Sequence, residues 1–294
     1  MKKIIVPTDF SAPANNAARY ALHLATILKE DIVLCNAMII PAEAAHAGNT
    51  PWPLEGYESI KFSTTQQLQA LARHLDNRLD EHAGFFPEDF HPEVSYTSEV
   101  GPFTDVIRNV IDEHNGSMVV MGMSGAGGLE RFFMGSSSRD LLDKASFPVM
   151  LIPKEFVFGP VKKIAFATTL DEGDINVVHA LACFAKALDA EIQIHHITKH
   201  QFEREEEKYK ADAFMSELCK KVTYPKLSYH HIKSMGVDAG LDWLHEHKPV
   251  DMLVMVHRRH NFLDKILSGS HTQQLARRVT LPLLVFPPEY GANI

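Results

Sequence analysis

The sequence predicts an α/β protein made of two copies of one unit, each with a parallel sheet covered by helices on both faces. Three observations lead to this fold class. Short apolar runs alternate with segments of helical period, the whole pattern occurs twice, and a length of 294 residues suits two domains. Short β-branched runs separated by helices are typical of β-α-β crossovers, which bury both faces of a parallel sheet.

The first copy shows the alternation from end to end. Its short runs, rich in Val and Ile, predict strands at KIIVPT, DIVLCNAMI, EVSYTSEV, SMVVMGM and PVMLIP. Between them, apolar residues at helical spacing predict helices at NNAARYALHLATILK, TTQQLQALARHLDNRLDEHA, FTDVIRNVIDEH and SSSRDLLDKA. The second copy repeats this order.

Two pairs of similar segments define the repeat. KKIIVPTDF at 2–10 returns as KKIAFATTL at 162–170, and GSSSRDLLDKASFPVMLIP at 135–153 returns as GSHTQQLARRVTLPLLVFP at 269–287. The first copy is longer because of MIIPAEAAHAGNTPWPLEGYESI, whose prolines and small residues predict an excursion loop. We expect domains at 1–154 and 160–290, joined by the short linker KEFVFGP.

Composition excludes several classes of function. A net charge of −8 and a pI near 6.1 argue against a nucleic-acid partner, which requires a clustered basic surface. No apolar run reaches the roughly 20 residues that span a bilayer, and MKKIIVPTDF lacks the features of a signal peptide, so we expect a cytoplasmic protein without a membrane partner. Cys35, Cys183 and Cys219 form no C-x-x-C pair, which favours buried thiols over a disulfide framework or a zinc ribbon.

The most informative motif is the loop that follows SMVVMGM and precedes the SSSRDLLDKA helix. Gly122, Gly125 and Gly135 lack a Cβ, so their backbone can adopt positive φ and approach a bulky anion. The helix that follows presents unpaired N–H groups, and Ser136 and Ser137 add hydroxyl donors. This combination favours a phosphate-bearing ligand, although a turn with an N-cap remains the simpler alternative.

The spacing of these residues, G-2x-G-9x-G-(S/T), resembles the ATP-binding branch of the universal stress protein family. VPTDFS, ARYALHLA and GSSSRDLLDKASFPVMLIP also resemble that family, and the second copy extends the likeness over the rest of the chain. The resemblance implies a tandem protein whose domains each carry a five-stranded parallel sheet in the order 3-2-1-4-5. It also implies that PVMLIP and PLLVFP pair to make an internal pseudo-dimer, and it leaves a homodimer open.

The resemblance assigns roles to individual residues. Asp9 would make a polar contact at the nucleoside end, the segment from Gly122 to Gly125 would approach the ribose and phosphate, and Gly135, Ser136 and Ser137 would hold the phosphates. Pro7 and Met121 would form the walls of the adenine cleft, and the main chain near Ala37 would lie beside the edge of the base. Arg131 would reach toward the phosphates. ATP or a related adenine nucleotide is therefore the expected ligand, with Mg²⁺ as a companion ion left open.

The sequence favours ligand sensing over turnover. The P-loop lysine is absent, the loop after the first strand does not match the SGGxDS type, and no HIGH motif is present. Slow ATP hydrolysis, with Asp9 orienting water or a divalent ion, is one alternative. A structural or metal-binding scaffold that does not need nucleotide is the other.

The second copy lacks residues that a nucleotide would need. Val256 stands in the place of Gly122, Arg259 in that of Gly125 and Thr169 in that of Asp9, although Gly269 and Ser270 persist. Side chains at both close-approach positions obstruct a ligand held in the same way. The second site is therefore expected to be degenerate, with one nucleotide bound per chain.

Histidines of the second copy raise the question of zinc. IQIHHITKH and SYHHIKSM would be neighbouring strands, while His257 and His260 follow the fourth strand. Alternation sends consecutive residues to opposite faces, so each pair offers one ligand, and zinc needs three or four. We therefore do not expect a zinc site there, and we expect the acidic run EREEEKYKAD to be a solvated helix face.

Overall fold

The computed structural model describes residues 1–38, 54–81, 90–123, 136–198, 205–233, 250–258, 281–288 and 290–291. Within these ranges the strands are β1 Lys3–Pro7, β2 Asp31–Met38, β3 Val94–Val100, β4 Gly116–Met123, β5 Val149–Pro153, β6 Lys163–Thr168, β7 Glu191–Thr198, β8 Leu227–Lys233, β9 Met252–Val256 and β10 Leu283–Phe286. The helices are α1 Ala12–Leu28, α2 Leu54–Glu81, α3 Phe103–His114, α4 Ser136–Lys144, α5 Asp174–Leu188 and α6 Glu205–Lys221.

The described residues pack into two compact units. The first draws on Met1–Gly122 and Ser136–Lys144, and the second on Met123–Gly135 and Ala145–Ile294. Strand β5 groups with the second unit, although its sequence belongs to the first copy. The domain bounds 1–154 and 160–290 stay a prediction.

The first unit contains a parallel sheet in the order β3-β2-β1-β4. Its central strand, β1, has four of its five residues buried because the helices cover both of its faces. Helix α1 begins after Ser11, which accepts a hydrogen bond from the Ala14 N–H at 3.4 Å, and ends at Leu28, where Lys29 caps it in the left-handed conformation. The predicted fold class is confirmed.

The second unit contains the strand order β8-β7-β6-β9-β10-β5. The pairs from β8 to β10 are parallel, and the order β8-β7-β6-β9-β10 corresponds to 3-2-1-4-5. Strand β5 then pairs with β10 in antiparallel fashion, Val149 opposite Val285. The sheet of this unit is therefore mixed, and the predicted pairing of PVMLIP with PLLVFP is present.

The internal repeat extends to individual turns. The Thr8 and Thr168 hydroxyls each accept the N–H two residues later, at 3.0 and 2.8 Å. The residues that donate, Phe10 and Leu170, both adopt the left-handed conformation, with φ of 63° and 58°. Two copies that share such an uncommon turn are one structural unit used twice.

One expectation about the thiols is wrong. Cys35 is buried in β2, but Cys183 on α5 and Cys219 on α6 are exposed. Helical periodicity turns both outward between buried neighbours such as Phe184 and Leu218. In the described part of the chain, no helix has the length and apolar character needed to cross a bilayer.

Candidate functional site

The first unit has a topological switch point at β1. The strand is flanked by β2 on one side and by β4 on the other, so the connections that leave its carboxyl end diverge. Ligands of open α/β sheets bind in the crevice that forms at such a point, outside the carboxyl ends of the strands. This edge is therefore the first place to test the predicted site.

Three predicted residues lie along this edge. Pro7 ends β1 opposite Cys35 of β2, and Ala37 follows two residues beyond that pair. On the other side, Ile5 pairs with Val119, so Met121 lies at the level of Pro7 two residues further along. Pro7 and Met121 are buried and Ala37 is half-buried. Three adjacent strands thus bring Pro7, Ala37 and Met121 to one edge of the sheet.

Gly122 lies at the same edge of the sheet, and the packing around it leaves no room for a side chain. A Cβ on this residue would collide with the carbonyl group of Pro13 and would lie 2.9 Å from the Ala14 nitrogen. The β4 backbone therefore packs directly on the first turn of α1. The repeat alignment places Val256 at the position of Gly122 and Gly173 at that of Pro13. In each copy, therefore, one of these two positions, the strand end or the helix start, is a glycine. Close packing alone requires Gly122, whether or not a ligand binds.

Asp9 is exposed in the turn between β1 and α1. Its Oδ1 accepts a hydrogen bond from the Ser11 N–H at 3.0 Å, which is the turn role that an aspartate commonly has before a helix. Asp9 therefore combines a local structural role with a position beside the cleft.

The remaining predicted residues are only partly described. Ser137 is exposed in the first turn of α4, which is fixed to α3 by a hydrogen bond from the Thr104 hydroxyl to Asp140 at 2.6 Å. The backbone of Ser136 begins α4. Gly125, Arg131 and Gly135 lie outside the described residues, so the phosphate end of the site remains a prediction.

Sequence reasoning missed two polar residues at this edge. Thr8 is buried and donates its backbone N–H to the Cys35 carbonyl at 2.8 Å, and the Asn36 side-chain amide donates to the Thr8 carbonyl at 2.7 Å. These bonds hold the ends of β1 and β2 together beside the cleft. Asn36 gave a signal that could have been used, since it is a polar residue inside the otherwise apolar run DIVLCNAM.

Cys35 offers no nucleophile at this edge. Burial and, to a smaller extent, the negative charge of Glu99 together raise the pKa of its thiol to about 12. Burial also raises the pKa of Glu99, and Glu113 adds to that effect. The Cys35 thiol stays protonated near neutral pH, and a protonated thiol is a poor nucleophile.

An ion pair fills the corresponding position of the second copy. Arg258, just after β9, donates to Asp174 at the start of α5 at 2.5 Å and also lies 3.3 Å from Asp171. Asp174 is fully buried, and its other oxygen accepts the Thr168 hydroxyl at 2.5 Å. The equivalent positions in the first copy are Ala14 and Ser124, which cannot form such a pair. A guanidinium therefore binds between the strand end and the helix start of the second copy.

The histidines of β7 and β8 pair as the alternation predicts. His195 stacks on His230 with ring centroids 5.0 Å apart, and His196 stacks on His231 at 5.4 Å. The two pairs occupy opposite faces because the residues are consecutive in each strand. Among the described residues, no group of three or more His, Cys, Asp or Glu side chains is arranged to hold a metal ion.

Comparison with known proteins agrees with the repeat. The universal stress protein family model matches residues 1–153 and again residues 161–287. A universal stress protein from Mycolicibacterium smegmatis is 25% identical over 304 residues, covering 97% of each chain. A solved universal stress protein from Archaeoglobus fulgidus superposes with a TM-score of 0.68 at 16% identity, covering 97% of this chain and 98% of its own. Another solved universal stress protein, 17% identical over 51% of this chain and 96% of its own with a TM-score of 0.33, is in complex with cAMP.

The two family matches lie end to end and meet near the predicted linker. They cover both halves of the fold, including the switch-point edge of the first copy and its altered counterpart in the second. The chain therefore belongs to the universal stress protein family and carries that family's domain twice.

Proposed function

We propose that the chain binds ATP or a related adenine nucleotide at the carboxyl edge of β1, β2 and β4, and that it senses this ligand rather than turning it over. The observation that carries the proposal is the difference between the two copies. Arg258 and Asp174 fill the second edge with an ion pair, whereas Ala14 and Ser124 stand at those positions in the first. One nucleotide per chain, held by the first copy, follows from this difference.

Sensing fits the chemistry of the described edge better than catalysis. The Cys35 thiol is protonated at neutral pH, and one Asp9 oxygen is engaged with the Ser11 N–H. Binding through backbone groups and one carboxylate requires no reacting side chain. A cytoplasmic location and a role in stress response belong to the same proposal, on the basis of the family.

Calorimetry on the full chain with ATP, ADP, AMP and cAMP tests the proposal. Asp9→Ala should weaken nucleotide binding about tenfold or more, because a hydrogen bond to a charged group contributes about 1.5–3 kcal/mol. Thr169→Ala is the matched control, since exposed Thr169 occupies the same turn of the second copy. A substitution of Gly122 is a poor test, because it disturbs the packing on Pro13.

Three results would contradict the proposal. They are a stoichiometry of two nucleotides per chain, no saturable binding of any of the four nucleotides, and equal losses for Asp9→Ala and Thr169→Ala. Phosphate release from ATP with Mg²⁺ should be measured beside binding. Multiple turnovers that Asp9→Ala abolishes would favour the hydrolase alternative.

A further inference from the structure

A groove separate from the strand edge runs between α1 and α2 of the first unit. It has a volume of about 300 Å³ and is lined from one side by Phe10, Asn15 and Arg19, and from the other by Gln67, Ala70, Leu71 and His74. The α2 residues follow one another at spacings of three, one and three, so they share one face of the helix. Volumes of this size suit a small organic molecule.

The chemistry of the lining favours an anion with an apolar body. Phe10, Ala70 and Leu71 supply apolar surface, and Asn15 and Gln67 supply amide groups. Among the described residues of the lining, Arg19 and His74 are the ionisable members and none is a carboxylate, although the chain as a whole carries a charge of −8. A guanidinium presents planar N–H donors that suit a carboxylate or a phosphate group.

The wall of the groove on the α1 side is held in place by hydrogen bonds. Phe10 adopts the left-handed conformation, and its N–H donates to the Thr8 hydroxyl at 3.0 Å while its carbonyl accepts from the Asn15 amide at 3.3 Å. The Arg19 guanidinium donates to the Asn16 side chain at 3.2 Å. Groups fixed before a ligand arrives lose less conformational entropy when it binds.

In the described part of the second copy, buried apolar residues stand in the places of two groove residues. Leu170 and Ile175 stand in the places of Phe10 and Asn15, and both are 3% exposed. Lys210 of α6 reaches over this turn and donates to the Thr169 carbonyl at 3.0 Å. Phe10, Asn15 and Arg19 are half-buried in the first copy, so this corner is more open and more polar there than the buried Leu170 and Ile175 make it in the second.

We propose that this groove binds a small molecule in which a carboxylate or phosphate group is attached to an apolar body. The anionic group contacts Arg19 and His74, and the body lies against Phe10 and Leu71. Since the groove begins one residue after Asp9, it adjoins the proposed nucleotide cleft but uses different side chains. Its occupant is a second ligand, and the inference stands whether or not nucleotide binds.

The test uses phenyl phosphate and 4-fluorobenzoate as probes, with benzyl alcohol as the neutral control and inorganic phosphate as the control without an apolar body. Ligand-observed NMR and calorimetry on the full chain should show one saturable site for an anionic probe and none for the two controls. The probe that binds more tightly shows whether the groove prefers a phosphate or a carboxylate group. Arg19→Gln should weaken that probe about tenfold, and His74→Gln should weaken it several-fold, while ATP binding stays unchanged.

Arg73→Gln is the matched control, because Arg73 is exposed beside His74 on α2 but outside the groove. Thermal melts of all three variants show whether they are folded, and exposed His74 provides a second test if Arg19→Gln is unstable. Three outcomes would overturn the proposal: no saturable binding of either anionic probe, equal binding of benzyl alcohol, or an equal loss in Arg73→Gln.

Discussion

Gly122 shows how one residue can suggest a ligand and yet be required by the fold. Its position in a glycine-rich motif favours close approach of a phosphate, but the group that approaches it in the structure is the backbone of Pro13. Both interpretations need a residue without a Cβ. Only the packing interpretation predicts a loss of stability when no ligand is present.

Gly122→Ala should therefore destabilise the protein without ligand by about 1–3 kcal/mol, the usual effect of extra volume in a packed site. Denaturant unfolding measures the change. Gly159→Ala is the control, because a Cβ there meets no atom within 4 Å. Equal stabilities of the two variants would show that α1 can move away from β4 at little cost.

Arg258 and Asp174 form a pair whose loss should be costly. Arg258→Met leaves the fully buried Asp174 carboxylate without its cation, which typically destabilises a protein by about 3–5 kcal/mol. Lys220→Met removes a similarly short but exposed pair with Glu217 and should cost far less, because water and salt screen an exposed ion pair. Chemical denaturation compares the two variants, and similar small losses would argue that water replaces Arg258.

Strands β7 and β8 place an imidazole pair on the face that α6 covers. His196 contacts Tyr229 and stacks on His231, while Glu207 and Lys210 of α6 contribute opposing charges. Burial and, to a smaller extent, the neighbouring His231 together lower the pKa of His196 from 6.5 to about 4. His196 therefore binds a proton less readily in the folded state than in the unfolded chain.

This difference predicts a loss of stability in acid. As the pH falls below 6.5, the unfolded state binds a proton that the folded state binds only near pH 4, so the free energy of unfolding decreases across that window. Denaturant unfolding at several pH values should show a steeper slope there for the wild type than for His196→Gln. His179→Gln, at an exposed position of α5, is the control substitution, and an unchanged slope in His196→Gln would contradict the assignment.

The elements were predictable from sequence because each depends on local periodicity. SMVVMGM became β4 and FTDVIRNVIDEH became α3, with the second copy confirming the order of the first. The ion pair of Arg258 was not predictable, because its partner is 84 residues away and no local pattern links them. The exposure of Cys183 was missed for a different reason, since the absence of a C-x-x-C pair does not indicate which face of α5 a single cysteine occupies.

At the scale of the whole molecule, the linker is accessible while β5 is not. Val157 is 83% exposed, whereas all five residues of β5 are buried in the second unit. Cleavage at an engineered protease site between 154 and 160 would leave β5 on the amino-terminal fragment and β10 on the other.

The two fragments should therefore remain associated after cleavage and elute together from a sizing column. A chain that begins at residue 160 and is expressed alone should aggregate or unfold more easily, because the edge of β10 then lacks its partner. Separation of the cleaved fragments under native conditions would contradict this prediction. Charged substitution of buried Met150 provides a further check, since it should promote that separation.

The antiparallel pairing of β5 with β10 also has a consequence during translation. Val149 and its partner Val285 are 136 positions apart, so the ribosome makes β5 long before β10. At about 5–20 residues per second, on the order of 10 s passes before the partner strand is translated. Throughout that interval β5 is an apolar strand whose edge toward β10 has no partner, and an unpaired apolar edge is prone to association with other chains.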